Sequence, residues 1–378
     1  MSKFNIGTLN NISDKGLSKF NDNYDLIDDI DKANGIIVRS YKMHDMGLSE
    51  NLLAIARAGA GVNNIPIDRC SEKGIVVFNT PGANANAVKE LVIAGMIMSA
   101  RNMYESISWG QTLEGDVTNT VEKGKKQFAG IEILGKTLGV IGLGAIGSRI
   151  ANAASSLGMT VVGYEPFEPN TCLTAPVEIY KNLDEMLGIC DFVSIHVPSL
   201  PDTLGMVNKD FIDKMKDGAV LINYSRAELV IPNDIIEAVC SGKLHKYITD
   251  LLEPEFIGKK GIVATTHIGA STIEAEENCA VMAANQLMEY LENGNITNSV
   301  NFPSLSLENK PGTKKHCITI CNDKDLEMLK SKLSEFYGDS LLEIVGAQKG
   351  EVGYFILRVK EDCEKIFNCT CVVRNRVV

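Results

Sequence analysis

The chain has 378 residues, with 37 Lys and Arg against 48 Asp and Glu, giving a formal charge of −11 and a pI near 5.1. At 45% apolar and 22% charged residues it carries material for two or three buried cores, which excludes a disordered chain. An acidic surface repels phosphate polymers and so argues against a nucleic-acid partner, while a local basic pocket for one small anion stays compatible with it.

The opening segment, MSKFNIGTLN, lacks the cationic stretch, apolar core and small-residue cleavage site of a secretory signal, so a cytoplasmic location is expected. Over the first hundred residues, FNIGTLN, GIIVRS, LLAIARAGAGV and GIVVFNTP read as strands between helical stretches, the pattern of a parallel sheet. A helix is predicted from about Asn84 to Trp109, because Val88, Leu91, Val92, Gly95, Met96 and Ser99 recur at helical spacing. The apolar run Leu91 to Ala100 inside it falls short of the roughly 20 residues that span a membrane, so no membrane partner is expected. A polar excursion follows over residues 110–130, and with the helix before it suggests a homodimer built through this part of the chain.

From Thr137 the alternation restarts: TLGVIGLG, TVVGYE, DFVSIHVPS, AVLINYS, KYITDLLE and GIVATTHIGA read as six strands separated mostly by helices, a complete doubly wound domain. A helix is predicted over residues 271–294, opened by Ser271 and Thr272 with early glutamates and stopped by Gly294. Residues 303–313 read as a linker. The tail, 314–378, reads strand, helix (Lys324 to Tyr337), strand, strand, short helix (Asp362 to Phe367), strand, a βαββαβ order. The ten cysteines are scattered with no C-x-x-C sets of zinc spacing, so no metal site and reduced thiols are expected. Cys369 and Cys371 flank Thr370 in a strand-like run that places both thiols on one face, leaving redox or metal chemistry there as a minority reading.

The strongest motif is Gly142-Leu143-Gly144-Ala145-Ile146-Gly147, between the strand LGVI and a helix. A lone G-x-G-x-x-G is weak evidence. Here the preceding strand, the following helix, a second strand and an acidic residue at its end, Glu165, appear in order, near the expected interval of roughly 20 residues. Gly142 and Gly144 let the backbone turn and approach a pyrophosphate at the helix N-terminus, and Gly147 permits close packing. Glu165 would bind ribose hydroxyls and repel a 2′-phosphate, and Pro166 and Phe167 supply no Arg in its place, so NAD is expected over NADP.

Ligands gather at the carboxyl ends of strands in such sheets. His196 and Pro198, Ser225 and Arg226, Asp250 and His267 all fall at such ends. Arg226 is a fork for a carboxylate that stays charged at any working pH. His267 has the right type to shuttle a proton near neutral pH. A carboxylate hydrogen-bonded to its imidazole would raise its pKa and fix its tautomer. Glu255 and Glu253 both lie between the Asp250 and His267 strands, and spacing alone does not choose between them.

Together IIVRS, RAGAGVNNIP, VFNTPGANANAVKEL, LGVIGLGAIGSRIA, IHVPSLPDT, LINYSRAELV and TTHIGAST resemble the D-isomer-specific 2-hydroxyacid dehydrogenase family, most closely its branch acting on D-3-phosphoglycerate, over roughly residues 1–302. The resemblance implies three bodies: a discontinuous flavodoxin-like substrate domain (1–100 and 270–302), a Rossmann NAD-binding domain (101–269) and an ACT-like regulatory or oligomerisation domain (314–378). It implies Arg226, Glu255 and His267 as the catalytic set, with Glu255 chosen because it falls five residues after Asp250. It implies an NAD site at Gly142, Gly144, Ala145, Ile146, Gly147, Glu165, His196, Pro198, Thr203, Tyr224, Ser225, Arg226, Asp250, His267, Gly269 and Ala270. Arg39, Ser40, Arg57, Ala60, Gly61, Asn84 and Lys89 would meet a phosphorylated 2-hydroxy acid. The sequence departs from the pattern at Ala227, where a Gly is usual, Ile231, where an acid is, and Thr266, where a Pro is. In the tail, Cys321-Asn322-Asp323-Lys324 replaces a Gly-containing turn; serine as effector is a secondary expectation. The rival readings are another dehydrogenase of this fold, acting on glyoxylate, hydroxypyruvate or D-lactate, and an NAD-sensing binding protein without turnover.

Overall fold

The computed structural model describes residues 3–321 and 325–378. The chain divides into two compact units, residues 1–84 with 273–378, and residues 85–272.

In the first unit five parallel strands, β1 (Phe4–Leu9), β2 (Tyr24–Ile27), β3 (Gly35–Val38), β4 (Ala54–Arg57) and β5 (Val76–Phe78), run in the order β2-β1-β3-β4-β5. That is the flavodoxin-like order. β3 is buried throughout, hence its unbroken apolar run GIIV. The helix Ile273–Asn293 covers one face. Its Ala283, Ala284, Leu287, Tyr290 and Leu291 lie in one core cluster with Ile6, Ile37, Ala54, Val76 and Phe78. Burial of Leu287 and Leu291 stabilises the fold by about 1.5–3 kcal/mol each.

The second unit holds β6 (Thr137–Ile141), β7 (Thr160–Tyr164), β8 (Glu178–Tyr180), β9 (Phe192–Ile195), β10 (Ala219–Asn223), β11 (Leu244–Thr249) and β12 (Ile262–Ala264). They form a parallel sheet in the order β12-β11-β10-β9-β6-β7-β8. The direction of winding reverses between β6 and β9, which opens a crevice at their carboxyl ends. The single helix expected over 84–109 is two: Ala85–Ala100 and Met103–Gly110, broken at Asn102, whose φ of 50° is left-handed. The returning chain causes the break. The Ile131 amide takes the Ala100 carbonyl at 2.8 Å and the Asn102 side chain donates to the Ala129 carbonyl at 3.3 Å. The polar excursion itself contains a helix, Val117–Gly124, capped by Asp116, which accepts from the Asn119 amide.

The tail belongs to the first unit. Its strands β13 (Thr313–Cys321), β14 (Leu341–Lys349), β15 (Val352–Lys360) and β16 (Val372–Val377) make an antiparallel sheet ordered β14-β15-β13-β16, with the helix Leu326–Tyr337 packed on it through Leu329 and Leu333. The short helix expected over 362–367 does not form. In this stretch Cys363 and Phe367 are buried in the tail core with Leu329 and Leu333 without a helix between them. Its Lys365 instead donates to the Phe336 and Tyr337 carbonyls at the end of the neighbouring helix. Asn322, Asp323 and Lys324 of the expected turn lie outside the described residues. The other face of the tail sheet is continuous with the core of the five-stranded parallel sheet: Cys317, Val352, Tyr354 and Ile356 share the cluster of Tyr290, Leu291, Ile296 and Phe302. Tyr354 donates to the Gly294 carbonyl at 2.7 Å, and the Arg376 guanidinium lies 4.6 Å from the Tyr290 ring centre. Among the described residues no helix is long and apolar enough to cross a membrane.

Candidate active site

In the second unit the glycine motif forms the turn between β6 and the helix Gly147–Ser156. Gly142 has φ 89°, and a side chain there would press on the His196 carbonyl 2.7 Å away. A methyl at Gly147 would collide with the Gly142 carbonyl oxygen, so glycine is what lets the helix start this close to the strand end. At Gly144 the same methyl would meet no protein atom within 4 Å. The middle glycine therefore faces open space where backbone can approach a ligand.

Glu165, just past β7, accepts the Leu143 amide at 2.7 Å through one carboxylate oxygen and the Phe167 amide at 3.1 Å through the other. The acid is thus fastened to the glycine turn. The Ser148 hydroxyl accompanies it by donating to the Leu143 carbonyl at 2.6 Å. Arg149 donates to the Ala145 carbonyl, and Ile146 is the residue at which the helix begins.

At the end of β9 the His196 ring nitrogen Nε2 shares a 2.7 Å hydrogen bond with the Ser194 hydroxyl, and Nδ1 is buried without a partner. Burial pushes this imidazole down to about 3, so it is neutral at physiological pH. Thr203 donates to the Pro198 carbonyl at 2.6 Å and accepts the Leu200 amide, which closes the following loop.

The Tyr224-Ser225-Arg226 turn after β10 is organised by Asn223, a fully buried residue. Its side chain accepts the Ser225 amide at 3.0 Å and donates to the Arg226 carbonyl at 2.9 Å, and the Thr249 hydroxyl donates to its main-chain oxygen at 2.7 Å. The Ser225 hydroxyl donates to the Val197 carbonyl, and Arg226 is exposed. Sequence reasoning passed over Asn223. A polar residue ending the apolar strand AVLIN was the available signal.

Asp250, after β11, is buried and accepts the Gly269 amide at 2.7 Å, while its carbonyl takes the His267 amide at 2.7 Å. Burial raises its carboxyl above the usual range, opposed by the Gly269 N–H and by the charges of His267 and Arg226. His267 has φ 56°, an uncommon left-handed backbone for a non-glycine residue, and an exposed side chain. Ala270 follows it, half-buried. Glu255 is exposed in the single turn Pro254–Phe256, and among the described residues no hydrogen bond or ion pair joins it to His267. Glu253 is the more enclosed carboxylate. One of its oxygens is buried without a partner, and burial with the charges of Glu255 and Glu228 raises its carboxyl. Lys89, which also lies in this unit, bonds Asn86 at 2.7 Å.

In the first unit Arg39 and Arg57 stand at the carboxyl ends of the adjacent strands β3 and β4, where Val38 is paired in register with Arg57. Arg57 Nε donates to the Arg39 carbonyl at 3.1 Å, and Asn64 donates to the Arg39 and Tyr41 carbonyls. Asn10, itself left-handed at φ 73°, accepts the Ser40 and Tyr41 amides. The Arg39 guanidinium is paired with Glu276 at 2.6 Å. Ala60, Gly61 and Asn84 are half-buried, and Asn79 holds the Ala60 carbonyl at 2.6 Å. Asn10, Asn64 and Glu276 were not singled out from sequence, because each acts through a partner far along the chain.

The second unit thus sets a glycine turn facing open space, an acid fastened beside it, and an exposed Arg and His past the ends of β10 and β12 of one parallel sheet. Residues 93–296 match the family described as D-isomer specific 2-hydroxyacid dehydrogenase, NAD binding domain, and the chain belongs to that family of NAD-dependent dehydrogenases. It is 33% identical over 294 residues to a D-3-phosphoglycerate dehydrogenase of Methanocaldococcus jannaschii, covering 75% of this chain and 55% of that one. A hydroxypyruvate reductase of Thermotoga maritima is 37% identical over 254 residues, covering 64% of this chain and 78% of its own. Among solved structures, the NAD+-bound 3-phosphoglycerate dehydrogenase of Entamoeba histolytica superposes with a TM-score of 0.62 at 27% identity, over 80% of this chain and all of that one. The chain thus spans little more than half the length of the Methanocaldococcus relative.

Proposed function

We propose that the protein oxidises D-3-phosphoglycerate to 3-phosphohydroxypyruvate with NAD, the first step of phosphorylated serine synthesis. The observation that carries this reading is the pair of guanidinium groups at Arg39 and Arg57, on adjacent strand ends. A substrate with a hydrogen or methyl in place of the phosphate would not need them, whereas a dianionic phosphate is matched by Arg forks.

The residues present fit the dinucleotide. Gly144 leaves room for the pyrophosphate, and Glu165 offers a carboxylate to the ribose hydroxyls while disfavouring a 2′-phosphate. NAD held there would supply the hydride acceptor for C2 of the substrate in oxidation and, as NADH, the donor in reduction. Arg226 holds the carboxylate and the C2 oxygen. The imidazole of His267 accepts the C2 hydroxyl proton on a ring nitrogen, and Glu255, drawn to it in the working state, stabilises the imidazolium. Amides of Ala60 and Gly61 assist as an anion nest, and Ser40, Asn84 and Lys89 complete the substrate contacts. Exposed apolar side chains on the helices Met103–Gly110 and Val117–Gly124, among them Tyr104, Ile107 and Val117, support a homodimer formed through the second unit.

The test is NADH oxidation with 3-phosphohydroxypyruvate, hydroxypyruvate, glyoxylate and pyruvate in parallel. The expected result is a kcat/KM for the phosphorylated acid well above the rest. Comparable values for all four would remove the phosphate argument, and no measurable rate with any would favour the sensor reading.

A further inference from the structure

Hydride transfer has no use for two thiols in the tail. Cys369 and Cys371 place their Sγ atoms 2.7 Å apart. The strand-like run expected around them is instead a turn: the Val372 amide donates to the Cys369 carbonyl at 3.1 Å, and β16 begins only at Val372. The turn keeps the two thiols together. Their Cα atoms are two virtual bonds of about 3.8 Å apart, and a folded turn holds such a pair inside the roughly 4.4–6.8 Å window a disulfide requires. Both residues are half-buried and so reachable by a small molecule, unlike Cys70, Cys190, Cys279, Cys317 and Cys363, which are buried. Burial also pushes the Cys70 and Cys190 thiols up to about 12, which leaves them unreactive.

We propose that Cys369 and Cys371 form a reversible thiol–disulfide site that reacts with low-molecular-weight disulfides, and that the bond clamps the start of the last strand. In the forward direction one Cys thiolate attacks a sulfur of the small disulfide, whose S–S bond breaks and releases one thiolate that takes up a proton. The second Cys thiolate then attacks the protein-bound sulfur and displaces the other half, which is likewise protonated. The protein loses two hydrogens and gains one S–S bond. The small disulfide takes up two electrons and leaves as two thiols. Only Thr370 separates the two cysteines, so the ring is small and strained, and excess small thiol reopens it.

The clamp acts on a strand that holds the tail in place. Cys371 accepts the Cys321 amide at 3.1 Å at the end of β13. Further along β16, Arg374 donates to the Lys73 carbonyl at 3.0 Å and Arg376 to the Leu291 carbonyl at 2.8 Å. Fixing the turn fixes where these two arginines enter.

The test uses the full chain equilibrated with oxidised and reduced glutathione at set ratios, alkylated and analysed as peptides. The expected result is a peptide containing both residues that lacks two hydrogens and regains them on adding reduced glutathione. Cys369→Ser and Cys371→Ser should each give a single stable glutathione adduct instead. Two independent adducts on the unmutated pair would overturn the proposal, as would an unreacted pair under conditions that modify the exposed Cys240. Amide exchange across residues 372–377 should slow several-fold in the oxidised form; an unchanged rate would refute the clamp.

Discussion

Gly144→Ala and Gly147→Ala add the same methyl group, three residues apart in one motif, and should fail in opposite ways. At Gly147 the new carbon falls far inside contact with the Gly142 carbonyl oxygen, a backbone atom that cannot rotate away. The helix Gly147–Ser156 would have to shift from β6, with a stability loss of about 1–3 kcal/mol or more by analogy with overpacked cores. At Gly144 the methyl meets nothing within 4 Å, and the backbone there is not left-handed, so stability should hold or rise by about 0.4–1 kcal/mol through the unfolded state. What Gly144→Ala should lose is cofactor. The methyl stands where the pyrophosphate would approach, and forfeiting one charge-assisted hydrogen bond, about 1.5–3 kcal/mol, weakens NADH binding roughly 10- to 100-fold. Urea unfolding and NADH fluorescence titration on the same preparations separate the two effects. If Gly144→Ala binds NADH as tightly as the parent at unchanged stability, the open space is not the pyrophosphate site.

Three further outcomes follow from the geometry. His267→Asn, chosen because Asn tolerates the left-handed backbone at φ 56°, should lower kcat by roughly 100- to 10,000-fold with NADH affinity intact; preserved turnover would remove the proton-shuttle role. Burial holds both His196 and His316 below the ordinary histidine value, so each favours the neutral form in the folded state. Their stabilisation is complete above about pH 6.5 and is lost as pH falls below it toward the folded value, because only the unfolded chain takes up the proton. The urea midpoint should therefore decline on acidification, and His196→Gln should flatten the decline; an unaltered slope would contradict the sign. Lys246, buried, pairs with Glu105 at 2.8 Å and with Asn102 at 3.0 Å. Glu105→Ala leaves an ammonium with one neutral partner, and because Glu105 is itself partly exposed the expected loss is about 1–3 kcal/mol by urea denaturation; no loss would mean that water replaces the carboxylate.

The sequence carried the parallel sheets and the glycine turn because both depend on local pattern: unbroken apolar runs for buried strands, and glycine where a side chain has no room. It was silent where structure depends on partners distant in the chain. β2 and β8 are short edge strands with exposed residues, too weakly patterned to register. The break at Asn102 is set by a segment returning some thirty residues later, at Ala129 and Ile131. Arg226 was legible as a strand-end cation, but the buried Asn223 that shapes its turn was passed over as the last residue of an apolar strand. Arg39 was assigned to a phosphorylated substrate, and its engagement by Glu276, more than two hundred residues along the chain, was not legible. At Glu253 and Glu255 residue spacing left two candidates, and the geometry adds a distinction of its own, one enclosed and one exposed.

The core shared by the tail sheet and the helix Ile273–Asn293 has a bearing on how regulation can be studied. Cutting the chain before β13 would bare Tyr290, Leu291, Ile296 and Phe302, which now pack against Cys317, Tyr354 and Ile356. A truncated protein that ignored an effector would then be reporting a damaged core in the first unit as readily as a missing sensor. Whether the tail responds to an effector is therefore better tested by single substitutions on the helix-covered face of its sheet than by removing it.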